Sequence, residues 1–425
     1  MQKRIFHLIM IGALILSLCS CNRNSESGGA ARVLALHGAT LELEYAGEFS
    51  DGFAPVYKDG KWGYIDESGQ LAVECVFDYA EPFSGGTAIV SIALELSESG
   101  WTPYYGLLGR NGEPLVPVEY EFIGEFKEGL ALVKKEEEYG YIDQSGELAV
   151  PCVYDLAYGF SEGLALVGKE EMLGYIDKTG KTVVPHRYVY ACDYSEGLAL
   201  VSNNDKYGFI DAAGKVTIPL EYDYASSFSE GLAAVGKGEF PDLRVGYIDR
   251  DGNAVISLEY AAAQDFSNGV ALVETGGGSC YIDKTGKVIA RSEDYTTILE
   301  FSEGLAPVRK NGKWGFINTA GKQAIACKYE WVGEGGFSDG LALVKNNNKW
   351  GFIDKNGKVA VPFKYDALYE YTDGFSVALK DQKYGLIDKH GKVVAPFEYD
   401  FIGHIGGGLA FMKNDNKWGV LELPD

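Results

Sequence analysis

The sequence predicts an all-β tandem repeat of eleven antiparallel hairpin or meander units, each about 34 residues long. Two observations carry that reading. The first is a marker Gly, preceded in the best copies by an aromatic and followed by an aromatic, Ile and Asp. It recurs at Gly63, Gly106, Gly140, Gly174, Gly208, Gly246, Gly315, Gly351, Gly385 and Gly419, with Cys280 in the seventh place. The commonest spacing is 34, with 43 before the second marker and 38 before the sixth. A fixed period in this range belongs to arrays whose units bury their apolar faces against one another. The second observation is strand patterning. Each unit breaks into apolar runs of about five residues, separated by turn signals every 8–12 residues.

The elements follow in order. Lys3 and Arg4 precede an apolar run from Leu8 to Leu18 that is too short for an ordinary membrane span. Leu18-Cys19-Ser20-Cys21 then resembles a bacterial lipobox, so residues 1–21 read as a lipoprotein signal peptide with Cys21 as the lipidated residue. Residues 22–40, rich in Asn, Ser, Gly and Ala, read as a flexible tether. Residues 41–425 form the array. In the third unit, Gly129 to Val133 is one strand, Tyr139 to Asp143 the next, and Leu148 to Val150 begins a third. The stretch from Tyr154 to Phe160 adds a fourth strand or a crossover. The Gly of Asp-x-x-Gly suits a left-handed turn, with the Asp carboxylate accepting turn amides. One strand position holds Ala in ten units and Ser376 in the other, which implies close approach by a neighbouring unit.

Two architectures fit. An open β-solenoid or superhelix is favoured, because eleven units exceed the usual 4–8 propeller blades. The alternative is a β-propeller. Leu41 to Tyr45 matches the last strand of a unit and could close a ring or cap an open end.

Lys61-Trp62-Gly63-Tyr64-Ile65-Asp66, Lys313-Trp314-Gly315, Lys349-Trp350-Gly351 and Lys417-Trp418-Gly419 closely resemble the bacterial WG-repeat family, also called KWG repeats, over residues 41–423. The resemblance implies a repeat scaffold used for binding in envelope or secreted proteins, and it supplies no catalytic residues. Leu173, Val245 and Ser279 depart from it at the Trp position.

The formal charge of −23 opposes nucleic acid and anionic lipid. No HExxH, G-x-S-x-G or ligand-spaced His pair occurs, so no catalytic residue, metal or cofactor is expected. Two acidic ladders recur once per unit, one through Asp66, Asp143 and Asp177 and the other through Glu128, Glu162 and Glu196. Groups needed in every unit suit turn chemistry better than a catalytic pair. Trp62, Trp314, Trp350 and Trp418 read as repeat-core aromatics. Binding is expected where the chain departs from the repeat, at Trp101 in the long second unit, at Phe240 in the sixth, and at Trp331. The expected function is a non-enzymatic, lipid-anchored cell-envelope protein that binds or scaffolds protein partners. The alternative is a cell-wall or polysaccharide-binding module, and an envelope hydrolase ranks below both. The expected location is the outer membrane of a Gram-negative cell, or otherwise the outer face of the plasma membrane.

Overall fold

A computed structural model describes residues 32–34, 43–97, 100–203, 205–415 and 417–424, with the backbone alone at 32–34, 93–97 and 100–102. Cys21 lies outside the described residues. The chain forms eleven four-stranded antiparallel sheets. Each is a meander of strands a to d, one blade of a ring. Blade 1 shows the pattern: Tyr45–Ala46, Phe53–Lys58, Lys61–Asp66 and Leu71–Phe77. Blades 2 to 10 begin at Tyr79, Phe122, Leu156, Tyr190, Tyr224, Ala262, Thr297, Trp331 and Ala367. Blade 11 starts at Phe401 and takes its fourth strand from the other end of the chain.

Closure overturns the open solenoid. Arg32–Leu34 pairs antiparallel with Lys417–Glu422, with Val33 opposite Leu421, and completes blade 11. The apolar face of blade 1 (Leu43, Phe49, Ala54, Val56) packs against Leu409, Phe411 and Val420 of blade 11. Phe49 and Phe411 stack 5.0 Å apart, and Trp418 Nε1 donates to the Leu43 carbonyl at 2.8 Å. An open array would leave both faces and one sheet edge in water. The closing strand comes earlier than Leu41 to Tyr45, inside the stretch read as tether. Eleven blades divide a full turn into wedges of about 33°, narrower than in the usual rings. The Ala position makes such wedges possible. Ala54, Ala131, Ala165 and Ala199 are fully buried, and at Ser376 the hydroxyl donates to Tyr369 O at 2.6 Å.

Each core lies between adjacent sheets and mixes residues from both. The blades are drawn together beside strand a. Ser161 Oγ donates to Tyr194 O at 2.9 Å, Ser195 to Phe228 O at 2.8 Å, and Ser302 to Phe337 O at 2.6 Å, each reaching the next blade. Strand d instead alternates exposed and half-buried residues. Strand a therefore forms the inner rim and strand d the outer edge. Because the sheets are meanders, the a–b and c–d turns share one face of the ring. The b–c hairpins and d–a connections share the other. The Tyr154 to Phe160 stretch is strand a of blade 4 and its turn, not an extra strand of blade 3.

Candidate binding rim

The first residue of strand a opens a rung of side chains across each blade. In blade 1 the pairing runs Tyr45, Tyr57, Trp62, Phe77. In blade 9 it runs Trp331, Lys345, Trp350, Tyr365. The first and third places of this series differ in exposure. The inner position is open to solvent in most blades: Tyr45 is 51% exposed, Trp331 is 48%, and Tyr79, Phe122, Tyr190, Tyr224 and Phe401 are similar. The Trp position is sheltered. Trp314 is 6% exposed, while Trp62, Trp350 and Trp418 are half-buried and pack on apolar clusters. Arg309, Lys345 and Lys413 lie over the rings of Trp314, Trp350 and Trp418. Inner rings make edge contacts with Trp-position rings of their own blade (Tyr45 to Trp62, 5.7 Å) and of the preceding one (Trp331 to Trp314, 6.3 Å). The result is an aromatic belt, broken where Val245, Ala262, Ser279 and Thr297 follow one another, and interrupted again at Leu156, Leu173 and Ala367.

Sequence reasoning missed this belt. Trp331 is not off the pattern, because it occupies the strand-a position that Tyr or Phe holds in six other blades. The signal was available as aromatics 17 residues before the Trp position in four blades, at Tyr45, Phe122, Tyr190 and Phe401. The insertion expected as a loop in the second unit is a lengthened b–c hairpin, Thr87–Ser97 with Gly100–Gly109, in which Leu96 faces Trp101 along the backbone. The Trp101 side chain lies outside the described residues. Phe240 sits at the tip of the blade 6 hairpin, 93% exposed, beside a cis bond to Pro241. The topology places all three positions on the b–c face, yet in blades 2, 6 and 9 rather than together.

The WG containing repeat profile matches eleven segments, among them 39–62, 139–171, 207–239, 314–350, 350–384 and 384–418. The chain belongs to the WG-containing repeat family. Many matches run from one Trp position to the next, so the sequence repeat straddles two blades. No curated protein matches this WG-repeat chain. Among solved structures it is similar to a eukaryotic initiation factor, at 12% identity and TM-score 0.40 over 80% of this chain and 99% of that one. It is also similar to the dihydro-heme d1 dehydrogenase NirN in complex with DHE, at 15% and 0.29 over 70% of each chain. The AfRom2 CNH domain gives 11% and 0.25 over 63% and 93%. At these values the likeness carries no argument about function.

In the WG repeat both acidic ladders serve the scaffold. Asp143 Oδ1 accepts from Ser145 N at 2.8 Å and Glu147 N at 3.1 Å, and Asp177 and Asp354 repeat this in their own c–d turns. The Ser145 hydroxyl, with these amides, holds the Asp143 carboxyl below its usual range. The Glu ladder joins blades. Glu128 accepts from Gly163 N at 3.0 Å, Glu162 from Gly197 N at 2.8 Å and Glu230 from Gly269 N at 2.9 Å. Lys178, Lys284 and Lys355 of the following blade pair with Glu128, Glu230 and Glu303 at 3.1 Å. Burial pushes these carboxyls up, but the lysine and amide donors outweigh it and leave them lowered. Such Glu residues take left-handed backbone ahead of Gly, as a two-residue hairpin turn requires.

A different acidic set lines the inner rim, three residues after the first position of strand a: Glu48, Glu125, Asp193, Asp265, Glu300, Glu334 and Glu370, all exposed. Asp193 and Glu370 keep solvent-accessible surface yet sit among neighbouring chain, and that partial desolvation raises their carboxyls.

Proposed function

We propose that this WG-repeat ring is a non-enzymatic glycan-binding module, held at a bacterial cell envelope by lipid on Cys21. The supporting observation is the exposed aromatic series at the inner rim, through Tyr45, Tyr79, Phe122, Tyr190, Tyr224, Trp331 and Phe401. Large rings left in water at a repeated position suit the C–H faces of sugars, which stack on aromatics. The carboxylates beside them accept hydroxyl hydrogen bonds and repel anionic polymers. Neutral or amino-substituted glycans are therefore the expected ligands, and uronic acid polymers are not.

Affinity electrophoresis of the soluble ring, residues 22–425, in gels containing neutral, amino-substituted or uronic polysaccharides tests this. Retardation by the first two, weakened in a Tyr79→Ala, Tyr190→Ala, Trp331→Ala variant that melts like the parent, is expected. No retardation in any gel would overturn it. A protein-binding reading keeps one specific observation, the bare ring of Phe240 on a hairpin tip. Anchorage is tested by lipid labelling, which Cys21→Ala should abolish.

A further inference from the structure

The ring is not uniform at its seam. The residue two places after the exposed strand-a position differs from blade to blade: Glu81, Tyr158, Cys192, Ser226, Gln264, Leu299 and Tyr369 occupy it in seven blades. It is Gly in blades 1, 3, 9 and 11, as Gly47, Gly124, Gly333 and Gly403. Only at the seam are two neighbouring blades both Gly. Pro55 takes the space beside Gly47, while the space beside Gly403 stays open, and a cavity of about 190 Å³ lies there, lined by Tyr45, Gly47, Glu48, Phe401, His404 and Phe411, with Ala46 and Gly403.

Its walls combine two chemistries. Tyr45 and Phe401 present exposed rings, braced by edge contacts with Trp62 at 5.7 Å and Trp418 at 5.9 Å. Their orientation is thus set before anything binds. Lining the same cavity, His404 Nδ1 lies 3.2 Å from Glu48 Oε1, with both side chains largely open to solvent. A carboxylate and an imidazole at this spacing offer acceptors and a donor to adjacent hydroxyls, and the carboxylate also suits an ammonium group. Trp418 Nε1 is already committed to the Leu43 carbonyl, so it supplies an edge and no hydrogen bond.

We propose that the seam cavity is the primary sugar subsite, seating one neutral or amino-bearing pyranose ring between Tyr45 and Phe401 with its hydroxyls on Glu48 and His404. This rests on the glycan-binding reading above and gives it a place on the ring. The remaining exposed rings then extend contact along an oligosaccharide.

The probes are cellotetraose, chitosan tetraose and tetragalacturonate, followed by saturation-transfer NMR and calorimetry on residues 22–425. Gly403→Tyr fills the cavity with the side chain that Tyr158 and Tyr369 already place there in blades 4 and 10. A Cβ at Gly403 meets nothing nearer than 3.4 Å. We expect at least a tenfold loss of affinity for whichever of the first two tetramers binds, with an unchanged melt. His404→Ala, an exposed change that spares the fold, should weaken binding several-fold. Trp331→Ala, away from the seam, should leave the smallest binding sugar unaffected. A parent that binds while Gly403→Tyr and His404→Ala bind equally well would overturn the seam subsite and leave the glycan reading standing. A parent that binds neither cellotetraose nor chitosan tetraose would remove both.

Discussion

Blades 7 and 9 are built from one repeat, and their difference explains what the Trp-Gly pair does. In blade 9, Trp350 faces Tyr365 and Phe352 faces Val361, so strand d carries two extra residues opposite Gly351. A Cβ on Gly351 would lie 2.6 Å from Val361 O. The glycine thus receives a bulge, and the bulge brings Tyr365, fully buried, level with Trp350. Blade 7 has Cys280 instead, and its strands stay in step at this position, with Cys280 facing Arg291 and Tyr281 facing Ala290, and shift only beyond it, between Tyr281 and Ile282. Its strand d shrinks to Val288–Arg291, and no tyrosine stands opposite Ser279. The next blade then comes closer. A Cβ on Gly321 of blade 8 would lie 1.8 Å from Ile289 O, whereas Gly357 of blade 9 meets only the Ile325 side chain, at 3.2 Å. The marker glycine therefore exists for the bulge, and the aromatic rung depends on it.

The most direct test breaks that comparison at the glycine. Gly351→Val should cost about 3 kcal/mol, because its branched side chain must displace the backbone of strand d. Cys280→Val, at the same position without a bulge, should cost less than about 1.5 kcal/mol. Urea unfolding of the two variants measures both. Equal losses would mean that the glycine does not serve the bulge.

The next effect concerns the ring beside it. Trp350→Ala should cost about 2 kcal/mol, below the 3–5 kcal/mol of a fully buried aromatic, because the ring is half-buried, with the Lys345 ammonium over it. Trp314→Ala, at the most buried Trp position, should reach the upper range. Thermal melts that rank them in reverse would contradict the sheltering described here. Phe240→Ser should move stability by less than about 0.5 kcal/mol, since the ring touches water on nearly every side.

These features were unequally legible. The period, the strands and the role of the acids in turns could be read from residues such as Asp143 and Gly146, because local turn chemistry leaves a local pattern. The reach of Glu128 to Gly163 could not, since it depends on how blades stack. Closure was hidden because Arg32–Leu34 joins through its backbone, which asks little of side-chain identity. Counting units argued for an open form, but the burial of Ala54 and its equivalents lets narrow wedges meet. The rim was hidden because strand a is two residues long in most blades, too short to show alternation. Trp331 was noticed for its size and placed outside a repeat to which it belongs.

A small gain, rather than a loss, is expected from restoring what the junction of blades 7 and 8 lacks. At three other junctions a Glu in the a–b turn meets a lysine from the next c–d turn, as Glu230 meets Lys284. At this junction the two places hold Asn268 and Thr319. The double change Asn268→Glu, Thr319→Lys should add about 0.5–1 kcal/mol at pH 7, from one charged hydrogen bond to the Gly304 amide and one exposed ion pair. The gain is small in part because Asn268 holds a left-handed backbone, which suits Asn better than Glu. Its pH dependence is distinctive. The folded carboxyl at the Glu230 junction is held below its ordinary value, so its stabilisation is present above the unfolded carboxylate range. It is lost as pH falls through the lower, folded value. The increment should therefore be present at pH 7 and gone by about pH 3. Melts of parent and double variant at both pH values decide the matter. A gain that survives at low pH would mean that packing, not the carboxylate clamp, holds successive blades together at this turn.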